Sequence, residues 1–198
     1  MTERTRARER EAEAEVSDTR LYSPKYVDWT LAEIERSKVG RIVVRNRDRP
    51  WDVSAQAQSK RYLSPHEPEL QDTALQDWEV FIQTIPVRSG KHRHQGGLII
   101  FVLEGRGHSV IDGVRYDWET GDAMLLPLTP NGVEHQHFND DPDRPAEWIA
   151  FVYWPLFKSA GSETQQIETS PIYDTWMARE KQKENEMTTT APARKRKT

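Results

Sequence analysis

The chain has no cysteine. That excludes a disulfide framework and thiolate chemistry, and it suits a reducing compartment. Long apolar runs are missing too: nothing approaches the ~20 residues needed to span a bilayer. The opening "MTERTRARER EAEAEVSD" has no apolar centre, so it does not read as a secretory leader. Charge of one sign is not in excess. Lys and Arg number 28 against 32 Asp and Glu, a net −4, which gives no argument for nucleic acid or anionic membranes. Only 35% of the 198 residues are apolar and both ends are highly charged, so the folded part is expected to be shorter than the chain. These absences predict a cytoplasmic protein with one folded domain.

Glycine and histidine are where the information lies. His92 and His94 are two apart in "SGKHRHQGGLIIFVLEGRG". On a strand that spacing turns both imidazoles to one face. His135 follows in "GDAMLLPLTPNGVEHQHFND" after an intervening hairpin whose turn is Asp112-Gly113. Three neutral imidazoles from two strands suit a borderline divalent metal and leave coordination positions open. His137 shares the face of His135 and is either a packing residue or one that stands beside the metal and bonds substrate or takes its proton. Glu134 points the other way and is expected in solvent. Gln95 is expected either to bond a ligand or to orient His94, and with His137 it is the candidate catalytic residue. Gly96 and Gly97 either make room for a flat ligand or form a bulge. His108 is read as surface, and no partner is named for His66.

From Trp78 the pattern is dense in short strands: "WEVFIQTIPV", "GLIIFVL", "HSVI", "VRYDWE", "DAMLLPL" and "AEWIAFVYWPLF". Such spacing predicts an antiparallel barrel or sandwich. The continuous run "GLIIFVL" is expected to be buried on both faces. Trp78, Trp148 and Trp154 are read as core. Residues 1–20 are read as a charged tail, 21–74 as a helix and arm, 75–157 as the barrel, and 158–198 as a helix and a polar tail. Within the arm, "SPKYVDWTLAEIERSKVG" is expected to be a helix capped by Asp28 or Thr30 and ended by Gly40. Residues 41–45 (RIVVR) are expected to form a strand, and residues 50–68 an extended segment. The basic "ARKRK" is read as a solvated end.

The two histidine stretches resemble the motifs of the cupins. Gly90, His92, His94, Gly105 and Gly107 match the first motif; Gly121, Pro130, Gly132, His135 and Asn139 match the second. The resemblance covers roughly residues 75–155 and implies an all-β fold: a single jelly-roll barrel, or double-stranded β-helix, with helical or irregular extensions at both ends. The wording is most similar to the gentisate and salicylate ring-cleaving dioxygenases, which use three histidines around Fe(II). The resemblance therefore implies His92, His94 and His135 as ligands, O₂ and a small molecule as partners, and a homodimer. Mn, Ni, Zn and Cu also suit three imidazoles.

Departures from that family carry information. Its usual glutamate ligand falls on Leu98, its carboxylate-binding arginine on Ile100, and its acidic pocket residue on Ala150. A more apolar hydroxylated aromatic or enolisable substrate is therefore expected. The alternatives are a non-oxidative metal-dependent isomerase, lyase or hydrolase, and a cupin that binds a small molecule without turnover.

Overall fold

The computed structural model describes the backbone of residues 24–190 and the side chains of 30–186. The charged segment 1–20 and the basic "ARKRK" lie outside the described residues. Two compact units are present. The smaller includes helix α1 (Pro24–Val39) and residues 72–75; the larger comprises 44–71 together with the chain from residue 76 onward.

Helix α1 begins at Pro24 rather than at a cap supplied by Asp28 or Thr30, both of which lie inside it. Proline suits a first helical position, because its missing N–H would have no partner there. The helix ends as expected, with the Gly40 N–H donating to Arg36 O at 2.7 Å. Residues 41–45 do not form the expected strand: Arg41 makes an isolated bridge with Thr73, and a short 3₁₀ turn follows at Asn46–Asp48.

The larger unit is a jelly roll of two antiparallel sheets. Its strands are β1 (Asp52–Val53), β2 (Gln58–Leu63), β3 (Trp78–Ile85), β4 (Lys91–His94), β5 (Leu98–Glu104), β6 (Arg106–Ile111), β7 (Val114–Glu119), β8 (Ala123–Leu126), β9 (Val133–Asn139), β10 (Ala146–Tyr153) and β11 (Gln165–Glu168). One sheet runs β1-β2-β3-β10-β5-β8 and the other β11-β4-β9-β6-β7. The sheets thus extend beyond residues 75–157 on both sides, since the expected arm supplies β1 and β2 and the expected tail supplies β11. Asp112 and Gly113 both have positive φ, 48° and 82°, as a two-residue hairpin turn between β6 and β7 requires.

The core includes Ile85, Ile100, Val102, Leu126 and Trp148 of the six-stranded sheet and Trp118 of the other. Strand β5 is not buried on both faces. Leu98, Ile100 and Val102 are enclosed, whereas Ile99, Phe101 and Leu103 are 38–47% exposed. A sheet covered on one side only leaves alternate residues outside, whatever their polarity. Strand β10 also ends earlier than expected. Pro155 cannot donate to a ladder, and the chain turns into helix α2 (Trp154–Ser159). Helix α3 (Pro171–Thr190) starts where expected, with Ser170 Oγ accepting from the Tyr173 N–H. Among the described residues no helix is long and apolar enough to cross a membrane.

Candidate metal centre and cavity

Strands β4 and β9 lie side by side with His92 opposite His135 and His94 opposite Val133. Alternation turns all three imidazoles inward, and they are only 2–6% exposed. Their donor nitrogens all lie within 4.8 Å of one another. Arg93 and Glu134, on the opposite faces, pair outside at 2.9 Å. Glu134 is therefore in solvent, as expected, and far from being a fourth ligand.

The donor set fits a divalent metal. The Val133 carbonyl accepts from His135 Nδ1 at 3.0 Å, which fixes the hydrogen there and leaves the Nε2 lone pair free. Gly96 N–H donates to His94 Nδ1 at 2.9 Å, which puts the neutral ring's hydrogen on Nε2, so His94 would ligate a metal only with its ring turned over. His92 Nδ1 is buried and makes no hydrogen bond among the described residues. Burial, and then the neighbouring imidazoles, push His92 down to about 2; burial and His135 take His94 to about 4. Burial lowers His135, and burial followed by His135 and His94 lowers His137 further. All four are neutral at pH 7, the state in which imidazole binds metal.

A pH dependence follows. An unfolded histidine titrates near about 6.5, so as pH falls below that value the unfolded chain binds protons that the folded chain refuses. Each imidazole kept neutral at pH 5 then costs the metal-free fold about 2 kcal/mol. The thermal midpoint of metal-free protein should drop by several degrees between pH 7 and pH 5. A flat profile would show that these rings are not enclosed.

The histidines face a cavity of about 340 Å³ between the sheets. Its far wall has Phe81, Leu98, Ile100, Ala150 and Val152 from β3, β5 and β10, with the polar Glu79 and Gln83 beside Phe81 on β3. Leu98 and Ile100 stand there as hydrocarbon, where the resembling family has polar groups. The lining includes one arginine, Arg61, which is already held by Glu79 at 3.2 Å, Glu67 at 3.4 Å and Asp52 at 3.6 Å.

His137 lines the same cavity, 5.5 Å from His135 between ring centroids. Gln95 does not. Its Oε1 accepts from the Glu163 N–H at 3.0 Å, and its backbone N–H donates to Ser162 Oγ. It ties down the segment before β11 and is corrected here from a catalytic to a loop-anchoring residue. The two glycines after it open no space at the metal. They carry the chain from one sheet to the other, and a Cβ on Gly96 would stand 2.0 Å from Pro127 O.

Trp148 belongs to the core, as expected, and also lines the cavity; Trp154 packs against that core and lines the cavity too. Their indole N–H groups are buried and have no acceptor among the described residues. Trp154 arrives on α2, stacks on Phe157 and receives the edge of His66, the partner that histidine lacked in the sequence. Trp78 packs on Tyr153 instead.

A second group, His108 with Asp117 and Asp140, is more open. His108 is half-buried and stacked on Phe138 rather than free at the surface. Arg115 already bonds Asp117 at 2.8 Å and Asp140 at 3.1 Å, so those carboxylates are paired.

Comparison with known proteins agrees with the sequence motifs. A profile described as the cupin domain matches residues 81–152. A 5-aminosalicylate 1,2-dioxygenase of Comamonas sp is 30% identical over 80 residues, 40% of this chain and 20% of that protein. Among solved structures, a variant salicylate 1,2-dioxygenase from Pseudoaminobacter salicylatoxidans aligns at 25% identity over 55% of this chain and 32% of its own, with a TM-score of 0.42. A cupin-like protein from Thermotoga maritima aligns at 16% identity over 67% of this chain and 90% of its own, with a TM-score of 0.43. The chain thus spans a fifth of the curated relative and a third of the salicylate enzyme.

Proposed function

This chain carries a cupin domain, and on that premise we propose that it is a non-haem Fe(II) dioxygenase acting on a hydroxylated aromatic or related enolisable small molecule. The observation that carries the reading is the convergence of His92, His94 and His135 on one cavity. Iron, when bound there, supplies adjacent open positions for a chelating oxygen ligand and for O₂.

The chain's own residues do the rest. With Leu98 in place of a carboxylate, the three ligands are neutral and the site keeps a double positive charge, which favours an anionic chelating substrate. The apolar wall with Ile100 and Ala150 receives a flat hydrocarbon ring and excludes water from it. Among the described residues the arginine that lines the cavity, Arg61, is engaged by three acidic groups and is not free for a second carboxylate. The relatives' names speak of salicylates; for this chain a ligand with fewer charged substituents is the better fit. His137 lines the same cavity, which supports a role for it in bonding a substrate oxygen.

Protein loaded with Fe(II) under nitrogen should consume oxygen when exposed to air with a member of a panel of phenolic acids, alkyl catechols and diketones. His137→Ala should retain its iron and lose turnover by roughly 100-fold, the usual scale of a positioned acid–base or hydrogen-bonding group. If fully loaded protein consumes no oxygen with any of them, the site is a binding or non-oxidative one.

A homodimer belongs to the same proposal. Ile99, Phe101, Leu103 and Leu125 leave the outer face of β5 and β8 apolar and exposed, a feature more typical of an interface than of open surface. Light scattering should give twice the 23.1 kDa of one chain. A monomer at that mass would remove this part of the proposal.

A further inference from the structure

We infer that Ser109 fixes the tautomer of His137, so that this histidine presents an N–H donor to the cavity and the group bound beside it is an oxygen acceptor. The inference rests on reading the cavity as a substrate site. It adds the polarity of what that site recognises.

His137 on β9 stands opposite Ser109 on β6, and both are fully enclosed, at 1% and 0% exposure. Ser109 Oγ lies 2.7 Å from His137 Nδ1, 2.9 Å from Trp118 Nε1 and 3.1 Å from Met124 Sδ. An indole nitrogen only donates, so Trp118 takes one lone pair of the hydroxyl. That hydroxyl has a single hydrogen to give. Its two candidate acceptors are an imidazole nitrogen and a thioether sulfur, and the sulfur is the weak one.

The hydroxyl hydrogen therefore points to Nδ1, which must hold a lone pair. In a neutral ring the hydrogen is then on Nε2. Nothing behind the ring favours a charged form. Its neighbours are Ser109, Trp148, His135 and, at its backbone N–H, Ser89 Oγ; none is a carboxylate. The opposite tautomer would send Nδ1–H to Ser109 and leave the hydroxyl with only the Met124 sulfur.

Of the two roles expected for His137, bonding the substrate or taking its proton, the network selects the first. Its partner is an oxygen that accepts through a lone pair, such as a phenolate, an enolate, a carboxylate or a carbonyl. Ser109 touches no ligand and is a positioning residue. Sequence alone gave no sign of it, because "HSVI" reads only as a strand.

Long-range ¹H–¹⁵N spectra of metal-free, ¹⁵N-histidine-labelled protein test the inference, with His137 assigned by the signals lost in His137→Gln. The expected result is a single Nε2–H tautomer for His137 in the unmutated protein. In Ser109→Ala the Nδ1 and Nε2 resonances should shift toward one another as the two tautomers mix, and Ser109→Thr should restore the original positions. A His137 that is Nδ1–H or doubly protonated overturns the inference, and so does a Ser109→Ala spectrum unchanged at His137. If Ser109→Ala fails to fold, the spectrum of the unmutated protein still decides. Failure to consume oxygen sinks the dioxygenase reading without altering these spectra.

Discussion

His94→Ala is expected to strip the protein of its metal while leaving it folded. His94 supplies one of three ligands, and the two left, His92 and His135, leave the ion too few protein donors to compete with buffer. Cutting even an outer group that orients a ligand lowers affinity 10–100-fold in typical sites; losing a ligand should cost at least roughly 100-fold. Folding should survive, because His94 belongs to the cavity rather than to the apolar cluster around Ile100 and Trp148. Removing one neutral imidazole also relieves the crowding that depresses His92. Elemental analysis of protein purified without a polyhistidine tag should give about one metal per chain for the unmutated protein and almost none for His94→Ala. Equal metal in both would remove His94 from the site.

Gly96→Ala should do more damage than loss of any ligand, because it breaks the fold and the site together. Gly96 has φ 81°, and an added Cβ would stand 2.0 Å from the Pro127 carbonyl oxygen. Backbone cannot yield as a flexible side chain would. Left-handed strain alone costs ~1–2 kcal/mol, and the clash adds to it, so a loss of about 4 kcal/mol and ~10 °C in thermal midpoint is expected. Moving this peptide also disturbs His94, whose ring it touches, so metal affinity should fall in whatever protein still folds. Gly113→Ala is the control: its φ is 82°, but open space surrounds the Cβ, so it should show the strain without the clash. If both variants melt alike, the close approach at Gly96 does not matter.

Much of the site was legible because it depends on strict alternation. The i, i+2 spacing of His92 and His94, the inward face shared by His135 and His137, and the outward Glu134 all follow from the two-residue period of a strand. The Asp112-Gly113 turn was legible because few residues tolerate positive φ. What escaped depends on contacts between distant segments. β11 is four exposed residues with no apolar alternation, and it becomes a strand only because the edge of β4 is there to pair with. Gln95 sits next to a metal ligand in sequence, yet its side chain is claimed by Glu163. The run "GLIIFVL" reads the same for one buried face or two, and the second sheet covers only one. Trp154 enters the cavity because Pro155 bends the chain out of β10.

The account stands on one claim, that His92, His94 and His135 hold a single divalent ion. Crystals of protein loaded with Fe(II) or Co(II), measured at the absorption edge of the metal, test it most directly. The account predicts one anomalous peak about 2 Å from a nitrogen of each of the three histidines, with Leu98 and His137 uncoordinated beside it. A peak at His108, Asp117 and Asp140 instead, with the three buried imidazoles left empty, would contradict it.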